Sequence, residues 1–267
     1  MTWLDLPPDV SAPTVALLVV AALVAGWVDA VVGGGGLVQL PALLIGLPAA
    51  TPAQVLATNK LSGVAGTGTA ATTYARRVRP DLATAAPMAL TALVGAAAGA
   101  ACATLLPQRL FRPLVLVLIV GVGIYTVRRP QLGRVHAPHP DPRRHRVVAL
   151  AAGAGIGFYD GIFGPGTGAF LVFLFVSLLG YAFLQASAKA RIVNLATNLG
   201  ALLVFIPQGA PLWRLGLLMG AANVAGGWLG AHTAIRRGGR FVRVVFLVVV
   251  GGLVLRLGVD VVRDAVS

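Results

Sequence analysis

Four charged residues lie inside long apolar stretches of this chain: Asp29, Lys60, Asp160 and Arg191. A charge at the centre of an apolar membrane segment costs about 2.5–3.5 kcal/mol even on lenient insertion scales, so each needs a partner. The two aspartates, or an anionic substrate, would partner the two basic residues. For Lys60 the alternative is snorkelling to the membrane surface. For the aspartates we weigh gating or proton coupling against N-capping of the helices that follow them.

Glycine-rich runs follow both aspartates, at residues 33–36 and 164–168. Such runs interrupt a helix. A helix that begins after an interruption presents free backbone N–H groups and the positive end of its dipole, which together bind anions. The alternative is that the glycines only allow close helix packing. The predicted binding residues in these runs are Gly34, Gly35, Gly36, Gly166, Thr167 and Gly168.

Amide side chains lie close to both basic residues. Asn59 precedes Lys60, and Asn194 and Asn198 lie four positions apart, so these two share a helix face. Amides supply both donors and acceptors, so we add all three to the predicted substrate-binding residues. Lys189 also lies in an apolar segment, and we interpret it as a snorkelling side chain.

The two halves of the chain match each other at a constant offset of 131 positions. The matched pairs include Gly26 and Gly157, Asp29 and Asp160, Gly33 and Gly164, Lys60 and Arg191, Met88 and Met219, Gly95 and Gly226, Gly99 and Gly230, and Arg112 and Arg243. Chance matching in an Ala/Val/Gly-rich chain does not place Asp, Met and Arg in one register. We therefore predict an internal duplication, as in many transporter folds. The paired Gly-xxx-Gly motifs at 95–99 and 226–230 predict helix-packing surfaces.

Composition restricts the class of protein. The chain has 57% hydrophobic and 11% charged residues and a mean hydropathy of +0.87, which predicts a membrane protein. The net charge of +13 resides mostly in short clusters between apolar runs, so nucleic-acid binding is not expected. A nucleophile–base pair, a metal cluster and a nucleotide-binding loop are all missing, so neither an enzyme nor a primary pump is predicted, and no cofactor or metal.

Ten apolar segments predict an all-α membrane bundle of five segments per half, including broken or re-entrant helices. They span residues 14–32, 37–48, 54–75, 82–106 and 110–127, then 147–163, 168–186, 190–207, 212–235 and 241–262. We divide the chain into a first repeat (1–127), a cytoplasmic linker (128–146) and a second repeat (147–267). Basic clusters at 76–79, 128–146 and 236–243 favour inverted repeats with these loops in the cytoplasm. Four crossings per half would instead make the repeats parallel.

The paired motifs resemble those of the TauE/SafE sulfite exporter family. The resemblance is carried by the sequences at 26–36, 57–60, 157–168 and 194–198, and extends over about 14–262. It implies a multi-pass permease of the inner (plasma) membrane that exports small sulfur-containing anions such as sulfite, thiosulfate or sulfonates. Proton coupling and a homo-oligomer are left open, and an anion channel or a non-transporting membrane subunit is the alternative function.

Overall fold

The computed structural model describes residues 10–105 and 142–266, and within these ranges the protein is all-helical, with eight helices. They are α1 (Ala12–Val32), α2 (Gly35–Gly46), α3 (Pro52–Val78), α4 (Leu82–Ala103), α5 (Pro142–Ile162), α6 (Thr167–Ser177), α7 (Phe183–Phe205) and α8 (Trp213–Val266). Helix α8 has a non-helical backbone at Gly238, where the sequence predicts a break between two segments. The all-α prediction is confirmed, and the predicted segment 110–127 lies outside the described residues.

Local sequence accounts for the helix ends on the outer surface. Ser11 and Thr51 cap α1 and α3 with their hydroxyl groups, and each is followed by a proline in the first turn. Thr51 and Gln54 form a reciprocal capping box. Asp81 caps α4 by accepting a hydrogen bond from the N–H of Ala83 at 2.8 Å. These caps fix where α1, α3 and α4 begin.

Two helices are too short to cross a membrane. Helix α2 has 12 residues and α6 has 11. At 1.5 Å per residue they are about 16–18 Å long, whereas the hydrocarbon core of a bilayer is about 30 Å thick. Each follows a long helix after a short glycine-containing break, so α1–α2 and α5–α6 are interrupted helices, as the glycine-rich runs at 33–36 and 164–168 predict.

Several predicted segment boundaries need correction. The segment predicted over 168–186 ends at Ser177, because the chain turns at Gly180, whose φ is 75°. Helix α7 consequently begins at Phe183 and not at 190. The last part of the predicted linker, from Pro142, already belongs to α5. Hydropathy alone does not detect a turn whose flanking residues are apolar on both sides.

The long helices pack through glycines. Helix α1 lies along α8, and α5 lies along α4. A Cβ atom added to Gly226 would lie 2.0 Å from the carbonyl oxygen of Leu23, and one added to Gly95 would lie 2.3 Å from that of Ala154. Gly99 and Gly230 make equally close contacts. The predicted glycine packing surfaces are therefore confirmed. These pairings are those expected from a duplication, which itself stays a prediction, as does its inverted orientation.

The outer surface of the bundle is apolar. Among the described residues, three helices are long and apolar enough to cross a membrane: Ala12–Val32, Leu82–Ala103 and Phe183–Phe205. Leu17, Leu90 and Leu203 on these helices are each at least 60% exposed, as expected for side chains that face lipid. Polar side chains such as Gln39, Asn59 and Asn194 are instead buried inside the bundle. This inside-out distribution is that of a multi-pass membrane protein.

Candidate functional site: a charged cavity between two helix breaks

The two helix breaks lie in direct contact at the centre of the protein. The N–H of Ala169 donates a hydrogen bond to the carbonyl oxygen of Gly33 at 2.9 Å. A Cβ atom added to Gly33 would lie 2.2 Å from the carbonyl carbon of Gly168, so no side chain fits there. Gly33 and Gly164 also have φ angles of 84° and 88°, which favour glycine. The glycines therefore allow both the sharp breaks and the close approach of one break to the other.

A polar cavity of about 40 Å³ lies beside the two breaks. One water molecule requires roughly 10–15 Å³ on the same measure, so the cavity has room for a few waters or one small oxyanion. Of the residues predicted from the sequence, the cavity is lined by Asp29, Gly35, Gly36, Asn59, Lys60, Asp160, Thr167, Gly168, Asn194 and Asn198. Its remaining lining residues are Ala25, Gly33, Gln39, Gly63, Thr67, Gly164 and Asn223.

Lys60 is paired with the aspartate of the opposite half. Its Nζ atom lies 2.5 Å from Oδ2 of Asp160, and the two side chains are 1% and 2% exposed. The hydroxyl group of Thr167 donates to the other carboxylate oxygen of Asp160 at 2.6 Å. The ammonium group of Lys60 therefore lies within the cavity and does not snorkel to the surface.

Arg191 is paired with the other aspartate. Its Nη1 atom lies 3.0 Å from Oδ2 of Asp29 and also donates to the main-chain oxygen of Asp29. Thr67 donates to the same carboxylate at 3.2 Å. Arg191 is fully buried but is not among the residues that line the cavity. The structure thus places it behind Asp29, although the sequence suggests a role equivalent to that of Lys60.

Neither aspartate caps the short helix that follows it. The N-cap residues of α2 and α6 are Gly34 and Gly166, and neither helix has a side-chain hydrogen bond at its N-cap. Gly34 and Gly166 do not line the cavity. The N-capping interpretation of Asp29 and Asp160 is therefore wrong, because each carboxylate is bound by a basic residue and a threonine.

The sequence reasoning missed an amide pair on the cavity wall. Nδ2 of Asn223 donates to Oε1 of Gln39 at 2.7 Å, and the hydroxyl group of Ser62 donates to the same oxygen at 3.4 Å. A Cβ atom added to Gly66 would lie 1.7 Å from Oδ1 of Asn223, so this glycine leaves room for the amide. Both amides are isolated polar residues in apolar segments. The repeat comparison overlooks them because Phe170 and Ala92 occupy the matching positions.

A third ion pair lies at the end of the bundle, away from the cavity. The ammonium group of Lys189 donates to the main-chain oxygen of Asp81 and lies 3.3 Å from its Oδ2. It also lies 4.4 Å from the centre of the Tyr181 ring. The hydrogen bond from Ala83, followed by the charge of Lys189, holds the pKa of Asp81 below its usual range. Lys189 is thus a buried helix-end contact, and the interpretation of it as a snorkelling side chain is wrong.

A helical bundle with two interrupted helices and a buried charged cavity between them defines a class of protein, the multi-pass membrane transporters. The family model described as Sulfite exporter TauE/SafE matches residues 18–257, and the chain belongs to this family. The family consists of membrane transporters and not of enzymes.

Three relatives illustrate the extent of the similarity. The chain is 38% identical to a probable membrane transporter protein, ORF9, of Sinorhizobium sp, over 94% of this chain and 95% of that protein. It is 32% identical to the probable membrane transporter protein YfcA of Escherichia coli K12, over 87% and 85% of the two chains. A probable membrane transporter protein of Haemophilus influenzae is also 32% identical, over 88% and 91%. No solved structure matches the chain.

Proposed function

We propose that this protein is a secondary transporter of the inner (plasma) membrane that exports small sulfur-containing anions such as sulfite, thiosulfate or organosulfonates. The observation that carries the proposal is the ammonium group of Lys60, which is buried within a cavity small enough to enclose one such anion. A buried cation in a membrane protein is costly unless it has a partner. Asp160 is the partner of Lys60 in this structure, and a substrate anion would take its place.

The lining of the cavity suits a small oxyanion. Asn59, Asn194 and Asn198 offer amide groups around Lys60, and Thr167 begins a short helix at the cavity wall. Amide N–H groups and a helix N-terminus are the uncharged donors that bind sulfonate-like oxygens without adding further charge. Charge-assisted hydrogen bonds from Lys60 would supply the strongest single contact.

The two interrupted helices support a carrier in preference to the alternative, an anion channel. In carriers of this type the substrate site lies where broken helices meet near the membrane midplane, and the surrounding helices open to one side at a time. The backbones of the two breaks are in contact, Gly33 with Gly168 and Ala169, and this favours a pocket beside them over a continuous pore. The division into repeats of residues 1–127 and 147–267, joined by a cytoplasmic linker, belongs to the same proposal.

Uptake of labelled sulfite, thiosulfate and taurine into proteoliposomes tests the proposal. Wild-type protein should show saturable flux of at least one of these anions or sulfonates and should exchange it against an internal pool. Lys60→Ala should lower that flux by about 100-fold, which corresponds to about 3 kcal/mol of lost charge-assisted binding. Lys189→Ala is the matched control, because it removes a buried lysine that contacts Asp81 at the helix end and not the cavity.

Two outcomes would count against the proposal. If wild-type protein moves none of these compounds, the assignment of sulfur-containing anions is wrong. If Lys60→Ala and Lys189→Ala retain the same flux as folded protein, the cavity is not the transport site. Flux that rises linearly with concentration, without exchange, would favour the channel.

A further inference from the structure

The charges beside the central cavity cancel. Asp29, Lys60, Asp160 and Arg191 are between 0% and 9% exposed, and they comprise two positive and two negative groups in two ion pairs. Helices α2 and α6 carry no charged residue, and the only titratable residue along α4 is the exposed Cys102. The described part of the chain therefore offers an incoming anion a site whose formal net charge is zero.

Among the described residues, two further titratable groups lie close to these pairs, and both are tyrosines. The hydroxyl group of Tyr159, next to Asp160, donates to the carbonyl oxygen of Pro165 at 2.7 Å. The hydroxyl group of Tyr74 donates to the carbonyl oxygen of Ala30 at 3.0 Å. Each tyrosine is bound to a main-chain oxygen and remains neutral near physiological pH. Neither offers a charge that would balance an anion.

An anion that enters a neutral buried site leaves that site with a net negative charge. Charge in a region of low dielectric constant is strongly disfavoured unless an opposite charge neutralises it. The least disruptive compensation is the protonation of one carboxylate, which removes one negative charge and frees its basic partner for the substrate. It balances a monoanion fully and a dianion such as thiosulfate by half. The choice is between Asp29 and Asp160.

The two aspartates differ in their basic partners. Arg191 holds Asp29 through both the carboxylate and the main-chain oxygen, and it lies outside the cavity lining. A guanidinium group also stays charged in proteins. Lys60 instead contacts Asp160 with a single flexible ammonium group that already lines the cavity. Releasing Asp160 from Lys60 therefore breaks one ion pair without disturbing a main-chain contact.

We infer that the anion and a proton cross the membrane together, and that Asp160 is the proton carrier. When the anion binds Lys60, the Lys60–Asp160 ion pair breaks, and a proton from water forms an O–H bond with the Asp160 carboxylate. On the other side of the membrane the anion leaves, the proton returns to water and the ion pair forms again. This inference rests on the proposed transport function and adds its coupling ion and the residue that carries it.

The test measures thiosulfate and proton movement together in sealed proteoliposomes. Labelled thiosulfate reports the anion, and an entrapped pH-sensitive dye reports the proton. Thiosulfate is the preferred probe because it keeps the same charge near neutral pH, whereas sulfite itself binds a proton there. Taurine flux, followed in parallel, shows whether a substrate that already carries a positive group moves without protons.

In wild-type protein, we expect each thiosulfate to enter with at least one proton, and an inwardly directed proton gradient to drive its accumulation. Asp160→Asn should lose proton movement and gradient-driven accumulation but still exchange thiosulfate, at a reduced rate, because the amide imitates a protonated carboxylate. Asp81→Asn is the matched control, since Asp81 also binds a buried lysine but lies away from the cavity. It should keep the wild-type proton-to-anion ratio.

Thiosulfate flux in wild-type protein without proton movement overturns this inference and leaves the proposed function standing. Absence of any anion flux overturns the proposed function, and the inference with it. Proton-coupled flux in folded Asp160→Asn, together with its loss in Asp29→Asn, would transfer the carrier role to Asp29 and contradict the assignment. The wild-type measurement needs no variant, so it decides the coupling even where Asp160→Asn does not fold.

Discussion

The Lys60–Asp160 and Arg191–Asp29 ion pairs join the same kinds of charge but have different surroundings. Lys60 reaches Asp160 across the cavity, with one ammonium group on one carboxylate oxygen. Arg191 binds both the carboxylate and the main chain of Asp29 and lies behind the cavity wall. A pair with a single contact next to a pocket is suited to exchange with a ligand, whereas a pair tied to the main chain is suited to hold a helix end in place.

The third pair, between Lys189 and Asp81, differs from the two central pairs because its carboxylate is not buried. Lys189 is fully buried, but the side chain of Asp81 is 57% exposed and lies at the start of α4. A carboxylate with access to water does not depend on its partner for solvation. Loss of this pair should therefore affect only the α3–α4 connection, whereas loss of a central pair should affect the whole site.

The largest expected difference between the two central pairs comes from exchanging their basic residues. Lys60→Arg should lower anion flux by about tenfold or more while the protein stays folded, because a planar fork does not reproduce a compact ammonium group in so small a cavity. Arg191→Lys should instead lower stability by about 2 kcal/mol, since a lysine gives up a charge-assisted bond to Asp29. Flux per folded protein and melting temperature in detergent separate the two effects.

Equal losses of flux in both variants, at unchanged melting temperature, would show that the two pairs serve the substrate in the same way. The distinction between a ligand-exchanging Lys60–Asp160 pair and a structural Arg191–Asp29 pair would then be wrong. Wild-type flux in Lys60→Arg would show that the positive charge at this position matters and that the compact shape of the ammonium group does not.

A moderate effect is expected from Asn223→Ala. The change removes the 2.7 Å hydrogen bond to Gln39 on one side of the cavity only, because the matching position in the other half is already alanine. We expect the ratio of sulfite to thiosulfate transport to change by about 5-fold, equivalent to about 1 kcal/mol for one hydrogen bond. Competition uptake assays measure this ratio.

The control for Asn223→Ala is Thr233→Val, on the same helix but outside the cavity, where the hydroxyl group bonds only to Leu229. It should leave the ratio unchanged. An equal change in both variants would mean that α8 affects selectivity through its packing and not through its amide.

The smallest effect is expected at the outer pair. Asp81→Asn keeps a good N-cap for α4 but removes the charge that faces Lys189. Folding lowers the pKa of Asp81 below its ordinary value of about 4. The charge of Asp81 therefore stabilises the folded protein fully above about pH 4, and this contribution is lost as the pH falls through the lowered pKa. A pair whose carboxylate is exposed to water, as that of Asp81 is, contributes at most about 1 kcal/mol, or roughly 3 °C in melting temperature.

Melting curves of wild-type protein and Asp81→Asn at pH 7 and under acidic conditions check the sign. The difference should be present at pH 7, decrease in high salt and vanish in acid. A difference that grows in acid would contradict the assigned direction.

Isolated charges in apolar segments predicted much of the central site. Asp29, Lys60 and Asp160 are expensive to bury without a function or a partner, so their types and positions were informative without any structure. The partners were not predictable in detail. Each basic residue binds the aspartate of the opposite half, which depends on how the helices cross and not on any local pattern.

The places of Arg191 and Gln39 could not be predicted from the matched positions. Arg191 matches Lys60 in the repeat but lies behind Asp29, since its longer side chain reaches the main chain. Gln39 has no polar match and was overlooked, although it binds Asn223 on the cavity wall. The matched sequence positions thus predict where the helices break, whereas the site is asymmetric because the two halves of the chain differ in sequence.

The most direct test of the central claim is an experimental structure of the protein with thiosulfate bound. We expect the anion in the central cavity, within hydrogen-bond distance of Nζ of Lys60, with Asp160 displaced from that atom and Arg191 still bound to Asp29. An anion held by Arg191 instead, or bound outside the cavity while both ion pairs stay intact, would contradict it.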